Sequence, residues 1–467
     1  MPEVPVAVDR ADPRPLSRQI ADQLRDAAAH GVVRVGERLP STRLLARSLL
    51  VSRTVTAAAY EQLYAEGWIV ARHGAGTFVA AVPGASGAVG ARDAADHPEA
   101  GAGAGVASGR APGRCGREMV NLGVGSPWAD GLLPAVWRRA WRRAADVSPD
   151  SVPVRDGDPQ YREAVAEHLL RHRGLAVRGG SVLATAGTTA AAMELGAVLG
   201  HGCTVAVEEP GYQRAVAALR AAGARVVPAP VDADGIVVDA LPVDVDAVYC
   251  TPAHQFPLGG RLPAARRIAL VEWARRHGAR IIEDDYDGEL RYDVAPLPLL
   301  AAIGPDVVVQ LGTTSKIISP TLGAGWMVAP PDVAEWVVRR RDSAGLRPPG
   351  AGQRVVAAMA ETGDLAKHLR RVRRELAARR ELVVQRLTGA ALRVRGDRAG
   401  AHVTVPLPDA EAEHRLVATA LDAGVRVEGL RRCFDGPPQL TGVTIGYAAP
   451  ARREQLERAL RIVVESL

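Results

Sequence analysis

Apolar residues recur with two distinct periods along this chain, and the change of period divides it. Near the front, Leu16, Ile20, Leu24 and Ala27 fall on one helical face across 15–30. Pro40 and Ser41 open a second helix through Leu44, Leu45 and Leu49, with Ser41 placed as its N-cap. Val51 and Ser52 read as a turn, and a third helix runs from about Arg53 through Val55, Ala59, Tyr60 and Leu63 to Gly67. Two short β-like runs, 68–71 and 77–80, flank His73-Gly74-Ala75-Gly76, where glycine permits the positive φ of a tight turn. Two short helices about a turn, followed by a hairpin, predict a winged helix-turn-helix. Further on, strand-like runs at 181–185, 204–208, 225–228, 247–251, 280–283, 307–311 and 325–328 alternate with helical runs such as 190–199, 213–222 and 263–277. That alternation predicts an α/β domain with a mostly parallel central sheet. Ligands in such sheets bind beyond the carboxyl ends of the strands.

Between the two patterns, residues 83–116 are rich in Ala, Gly and Pro and poor in large apolar side chains. Such a stretch buries too little surface to offset its ordering entropy, so it is expected to be a flexible linker. The expected organisation is a head at 1–82, a linker at 83–116 and a body at 117–467. A length of 467 residues fits two or three domains, and 47% hydrophobic residues supply their cores. The net charge of +6 is modest, but its placement is informative. Residues 34–53 hold Arg34, Arg38, Arg43, Arg47 and Arg53 against the single acid Glu37. Arg53, Thr54 and Thr56 fall on the first turn of the third helix, where side chains reach base edges and free amides meet phosphate. The plainer reading is a small helical module with a solvated arginine face. Cys115, Cys203, Cys250 and Cys433 are scattered without a Cys-x-x-Cys pair, so neither a disulfide framework nor a zinc cluster is suggested. No signal-like apolar core or run of about 18 apolar residues appears, so a soluble cytoplasmic protein with no membrane partner is expected.

Lys316 and Lys367 are the only lysines in an arginine-rich chain. Unlike arginine, a buried lysine can shed its proton and attack a carbonyl. Lys367 lies among arginines and reads as part of a solvated helix face. Lys316 ends Gly312-Thr313-Thr314-Ser315-Lys316, directly after the apolar run 307–311. A strand closing on small hydroxyls and one lysine has the form of a pyridoxal phosphate (PLP) anchor, and equally of an ordinary lysine at a strand end. Four other strand ends carry polar groups. Gly187, Thr188 and Thr189 open a helix whose N-terminus favours phosphate. Asp284 and Tyr286 lie in an acidic burst, where a carboxylate can hold a pyridine nitrogen protonated and a tyrosine can bond a phenolic oxygen. A metal cluster or plain solvated acids would look similar, but no ligand spacing supports a metal. Tyr212 can stack on a flat ring or pack a turn, and Arg214 can meet a carboxylate. His254 and Gln255 are within ring reach, and His254 reads equally well as a structural histidine.

The front motifs (Pro15-Leu16-Ser17-Arg18-Gln19-Ile20, Leu39 to Ala46, Val51-Ser52-Arg53-Thr54-Val55, Tyr60-Glu61-Gln62-Leu63 and Gly76-Thr77-Phe78-Val79) closely resemble the GntR-type winged helix. The strand-end motifs occur in the order of fold-type-I aminotransferases. Glu208-Glu209-Pro210-Gly211-Tyr212, Thr251-Pro252-Ala253-His254-Gln255-Phe256-Pro257, the run from Ile281 to Tyr292 and Leu311-Gly312-Thr313-Thr314-Ser315-Lys316 are more narrowly similar to the MocR/GabR regulators. In that family a GntR head is joined to an aminotransferase-like body with a smaller C-terminal subdomain. The resemblance implies PLP bound as an imine on Lys316, with Asp284 at the pyridine nitrogen, Tyr286 at the phenolic oxygen and Tyr212 on the ring. It puts Gly187, Thr188, Thr189, Thr313 and Ser315 in or beside a phosphate cup, His254 near the ring and Arg214 toward an effector. The implied DNA-facing set is Arg43, Ser52, Arg53, Thr54 and Thr56, with His73 and Gly74 in the wing. The implied partners are a double-stranded DNA operator, an effector (PLP or a small amine or amino acid) and a second copy in a head-to-tail homodimer.

Two positions depart from the family. Gly323 stands where a phosphate-holding arginine is common, seven residues after the lysine, and Thr444 falls at the ligand-carboxylate arginine. Arg431 and Arg432 are nearby cations, equally readable as solvated. These losses weaken the expectation of a working transaminase and bring PLP itself forward as the effector. An active aminotransferase and a cofactor-free DNA-binding dimer remain the alternatives.

Overall fold

A computed structural model describes residues 6–29, 33, 36–65, 68–72, 76–79, 119–149, 151–292 and 298–467. His73, Gly74 and the expected linker at 83–116 lie outside the described residues. The head has three helices, α1 (Leu16–Ala29), α2 (Thr42–Ser48) and α3 (Arg53–Ala65), and a hairpin of β1 (Ile69–Arg72) and β2 (Gly76–Val79). Its core gathers the periodic apolar positions Ile20, Leu24, Leu45, Tyr60 and Leu63 with Trp68 from the hairpin. Ser41 caps α2 as expected, its hydroxyl accepting the Leu44 N–H at 3.3 Å. The Tyr60 hydroxyl donates to the Pro40 carbonyl at 2.7 Å and ties α3 to the entry of α2.

The body is built on β3 (Val182–Thr185), α4 (Thr188–Leu199), β4 (Thr204–Glu209), α5 (Gln213–Ala221), β5 (Arg225–Asp232), β6 (Gly235–Ile236), β7 (Ala247–Cys250), α6 (Ala264–His277), β8 (Arg280–Asp285), β9 (Val308–Thr313) and β10 (Gly325–Val328). Among the described residues the central sheet has eight strands in the order β3-β10-β9-β8-β7-β4-β5-β6. The run from β9 to β5 is parallel, whereas β10 is antiparallel to both neighbours and β6 to β5. Both faces are covered, which is why the strands read as nearly unbroken apolar runs. Val205 and Val207 face a cluster with Leu195 and Leu219, while Ala206 between them faces the opposite cluster. The strand period of two sorts residues to the two sides. The smaller C-terminal unit has a three-stranded antiparallel sheet of His402–Pro406, Gly442–Gly446 and Glu428–Gly429, with the helices Ala410–Asp422 and Arg453–Glu465. No helix among the described residues is long and apolar enough to cross a membrane.

In the single chain the head rests on its own body. Ala264 at the start of α6 is buried in the head's cluster, with Ile268 packed beside it. Arg18 on α1 reaches the Arg173 carbonyl at 3.0 Å. Gly174 makes that approach feasible: its φ of +62° is left-handed, and a Cβ there would stand 2.0 Å from the Arg18 Cζ. Arg173 is fully buried, and its guanidinium grips Asp285 through two bonds of 2.7 Å. Burial opposes the Arg173 charge, but Asp285 and Glu289 outweigh it and hold the group protonated above its ordinary range.

Candidate cofactor site

The strand ends converge on a cavity of about 460 Å³, a volume typical of small-molecule sites. Ten of the eleven residues expected to contact cofactor or effector line it. Gly187, Thr188 and Thr189 come from the start of α4, and Tyr212 and Arg214 from the start of α5. Asp284 and Tyr286 come from the end of β8, and Thr313, Ser315 and Lys316 from the end of β9. Their meeting follows from the parallel register, which pairs Leu311 with Asp284 and so brings the acidic and lysine ends level.

Lys316 is half-buried, whereas Lys367 is exposed on its helix. The Lys316 Nζ donates to the Gly125 carbonyl at 2.8 Å. Burial lowers its pKa, with Asp287 and Asp284 pulling the other way. A Cβ on Gly125 (φ +97°) would lie 3.1 Å from the Nζ, so the glycine keeps the amine's surroundings open.

Asp284 is buried, and burial pushes its carboxyl up to about 7 against the pull of Tyr249. One of its oxygens accepts the Tyr249 hydroxyl, and the other, Oδ1, has no hydrogen-bond partner. An orphaned buried acceptor is costly unless something fills the site. A protonated ring nitrogen is a group of the right kind. Gly187, with φ +122°, ends in the first amides of α4, and its α-carbon leaves room beside the Thr313 hydroxyl. The Thr313 and Ser315 hydroxyls are 2.8 Å apart. Hydroxyls and helix-start amides form an anion cradle. The Tyr212 hydroxyl is 3.1 Å from the Thr189 Oγ1. The residues present therefore fit PLP.

Several placements differ from expectation. His254 does not line the cavity; it lies behind Tyr286, whose hydroxyl donates to the His254 carbonyl at 3.0 Å. The His254 Nδ1 is 2.9 Å from the Asp287 Oδ2. The fold also brings His402 to this pair, making a group of three ligand-type side chains within 4.8 Å, which sequence spacing did not suggest. Burial lowers the His402 pKa to about 3, so this imidazole stays neutral. In the head, Arg43, Ser52, Arg53 and Thr54 are exposed, but Thr56 is fully buried. Its hydroxyl bonds the Thr42 carbonyl at 2.8 Å and the Arg53 carbonyl at 3.1 Å, so it joins α2 to α3 and does not face DNA. Arg431 turns away, bonding the Phe434 and Gly436 carbonyls, while Arg432 lines the cavity. Thr444 is buried on its strand.

Tyr249, Asp287 and Glu428 were not anticipated. Tyr249 sits in the apolar-looking strand β7, and only its pairing beside β8 gives its hydroxyl a task.

Residues 117–443 match the family described as aminotransferase class I and II, and residues 16–79 match the gntR family of bacterial regulatory proteins. The chain belongs to the GntR/MocR-type regulators. It is 32% identical over 451 residues to the HTH-type pyridoxine biosynthesis transcriptional regulator PdxR of Corynebacterium glutamicum, covering 96% of this chain and 95% of that one. It is 31% identical over 459 residues to the probable rhizopine catabolism regulatory protein MocR of Rhizobium meliloti, covering 95% and 92%. The body is similar in structure to LysN, the α-aminoadipate aminotransferase of Thermus thermophilus, with a TM-score of 0.67 at 26% identity, covering 75% of this chain and 92% of that one. An archaeal alanine:glyoxylate aminotransferase shares the fold with a TM-score of 0.70 at 23% identity, over 75% and 91% of the two chains. Like other MocR-type regulators, the protein couples a winged helix to a fold-type-I aminotransferase-like domain.

Proposed function

We propose that this regulator binds PLP at Lys316 and uses occupancy of that site, by PLP or by PLP with a small amine, to set how its head engages operator DNA. The observation that carries the reading is the Asp284 Oδ1, a buried acceptor without a partner in the cavity that Lys316 shares. Bound there, PLP supplies an aldehyde carbon open to a neutral amine and a ring that withdraws electrons. The chain's own groups do the rest. Lys316, its charge disfavoured by burial, offers the neutral amine. Tyr249 pins one oxygen of Asp284 so that Oδ1 faces inward. His254 and Asp287 brace Tyr286. The start of α4 with Thr313 and Ser315 holds the phosphate, and Arg214 adds a positive charge at the cavity wall near Lys316. That a relative at 32% identity is a regulator of pyridoxine biosynthesis supports PLP as the signal.

A ligand shifts the head only by binding one arrangement better than another. Asp285 follows Asp284 directly and grips Arg173, whose carbonyl receives Arg18 of the head. The site and the head are thus joined through one buried ion pair. In a head-to-tail homodimer formed by exchanging heads, the same contact is made between chains. The test is a titration of purified protein with PLP, followed by visible absorbance and by binding to promoter DNA. Lys316→Ala should lose the absorbance of lysine-bound PLP and the response of DNA binding; unchanged absorbance in the variant refutes the assignment.

A further inference from the structure

The far wall of the cavity carries an ion pair of the chain's own. Glu428 and Arg432 both line it. The Arg432 guanidinium is paired with the Glu428 Oε1, and the Arg426 Nη2 stands 3.8 Å from the same oxygen. The other carboxylate oxygen, Oε2, accepts the Val124 N–H at 3.3 Å. The Glu428 side chain is 10% exposed and that of Arg432 49%. Thr444 lies opposite Glu428 in the sheet and donates to its backbone carbonyl at 3.1 Å, which fixes the strand that presents the carboxylate. Among the described residues lining the cavity, the cations are Arg214, Lys316 and Arg432.

We infer that Glu428 occupies, from within the chain, the place on Arg432 that a ligand's carboxylate would take, so that the pocket accepts PLP and simple amines but gives amino acids no advantage. A carboxylate fixed on a strand beside its guanidinium competes at high effective concentration. Its negative charge also repels a second carboxylate brought to the same spot, a selectivity built on repulsion. The threonine at 444 fits this arrangement, because it supplies a hydrogen bond to Glu428 and no cation. The inference rests on the reading that Lys316 carries PLP.

The test compares paired probes that differ only in the carboxylate, L-alanine with ethylamine and 4-aminobutyrate with propylamine. Each is titrated into PLP-loaded protein and followed by the visible spectrum and by calorimetry. In the wild type the carboxylate should change the dissociation constant by less than about threefold, because Arg432 is already paired. Glu428→Ala frees Arg432, and the amino acids should gain about tenfold in affinity while the amines do not. Adding Arg432→Ala to that variant should abolish the gain. If Glu428→Ala does not fold, Glu428→Gln should give a smaller gain of the same selectivity. A wild type that prefers the amino acid tenfold or more overturns the inference. So does a Glu428→Ala protein that still binds PLP yet shows no gain for amino acids. A wild-type protein that shows no visible absorbance with PLP overturns the parent reading and this one together, which separates the two failures.

Discussion

Replacing Asp284 by Asn removes a titrating group from the centre of the site and leaves its shape in place. Without cofactor, burial lifts this carboxyl from 3.8 to about 7, with the Tyr249 hydroxyl and Lys316 opposing the rise and Asp285 adding to it. An acid whose folded pKa is raised holds its proton more tightly when folded. It therefore favours folding at low pH, and the advantage drains away as pH climbs from 3.8 toward 7. From pH 5 to pH 7 the full slope would be about 1.4 kcal/mol per pH unit, but it halves as pH reaches the folded pKa, so the integrated loss is about 2 kcal/mol. Burial also lifts Glu208 to about 7, Glu283 to about 7 and Asp285 to about 6; all three are present in both proteins and cancel in the comparison, apart from the small push that Asp284's own charge gives Glu208. At roughly 2 °C per kcal/mol, the cofactor-free wild type should lose about 4 °C more than Asp284→Asn over this interval. Any constant cost of burying the amide shifts the whole curve and leaves its slope alone. The assay is thermal melting of both proteins from pH 5 to pH 8 at fixed ionic strength, with and without saturating PLP. PLP should flatten the wild-type curve, because a ring N–H facing Oδ1 favours the ionised carboxylate. Parallel curves for the two cofactor-free proteins refute the reasoning, as does a wild-type slope that PLP leaves untouched.

Four further outcomes are expected. Asp285→Ala strands the fully buried Arg173 charge and should cost about 3–5 kcal/mol, seen as a fall in melting temperature by calorimetry. Gly323→Arg introduces the arginine that the family resemblance implies for this position; a charge-assisted hydrogen bond contributes about 1.5–3 kcal/mol, and the left-handed backbone (φ +56°) takes back about 1 kcal/mol, so PLP should bind roughly two- to thirtyfold tighter by absorbance titration. Arg18→Ala should leave PLP affinity unchanged and shrink the effect of PLP on DNA affinity, read by anisotropy with labelled promoter DNA. Arg53→Ala should lower the slope of log K against log salt by about 1 on a mixed-sequence duplex, as expected for one lost phosphate contact.

What the sequence made legible is what depends on local order. The strands were visible because burial on both faces leaves runs of Val, Ile, Leu and Ala, and their observed ends fall within a few residues of the expected ones, as Gly325–Val328 does. The polar groups at those ends stood out against that apolar background, so Asp284, Tyr286 and Lys316 were recognisable before any fold was known. Lys316 gained further contrast from the scarcity of lysine. Arginine had no such contrast. Arg173 sits in Arg171-His172-Arg173 and looks like its exposed neighbour, yet it is fully buried, because its partner Asp285 lies 112 positions away. Thr56 shows the converse: on the first turn of α3 it looks ready to face DNA, but the packing of α2 against α3 turns it inward. Tyr249 was hidden because Ala247–Cys250 reads as a plain core strand, and its hydroxyl matters only once β7 lies beside β8. Glu428 was hidden because its strand is two residues long and carries no apolar pattern. The residues that escaped are those whose role is set by a partner brought from another strand or loop, and they shape the site as much as the lysine does. Tyr249 decides which Asp284 oxygen stays free, and Glu428 decides whether Arg432 is available. The family resemblance points to the cofactor, while the selectivity inferred for this pocket rests on these unadvertised neighbours.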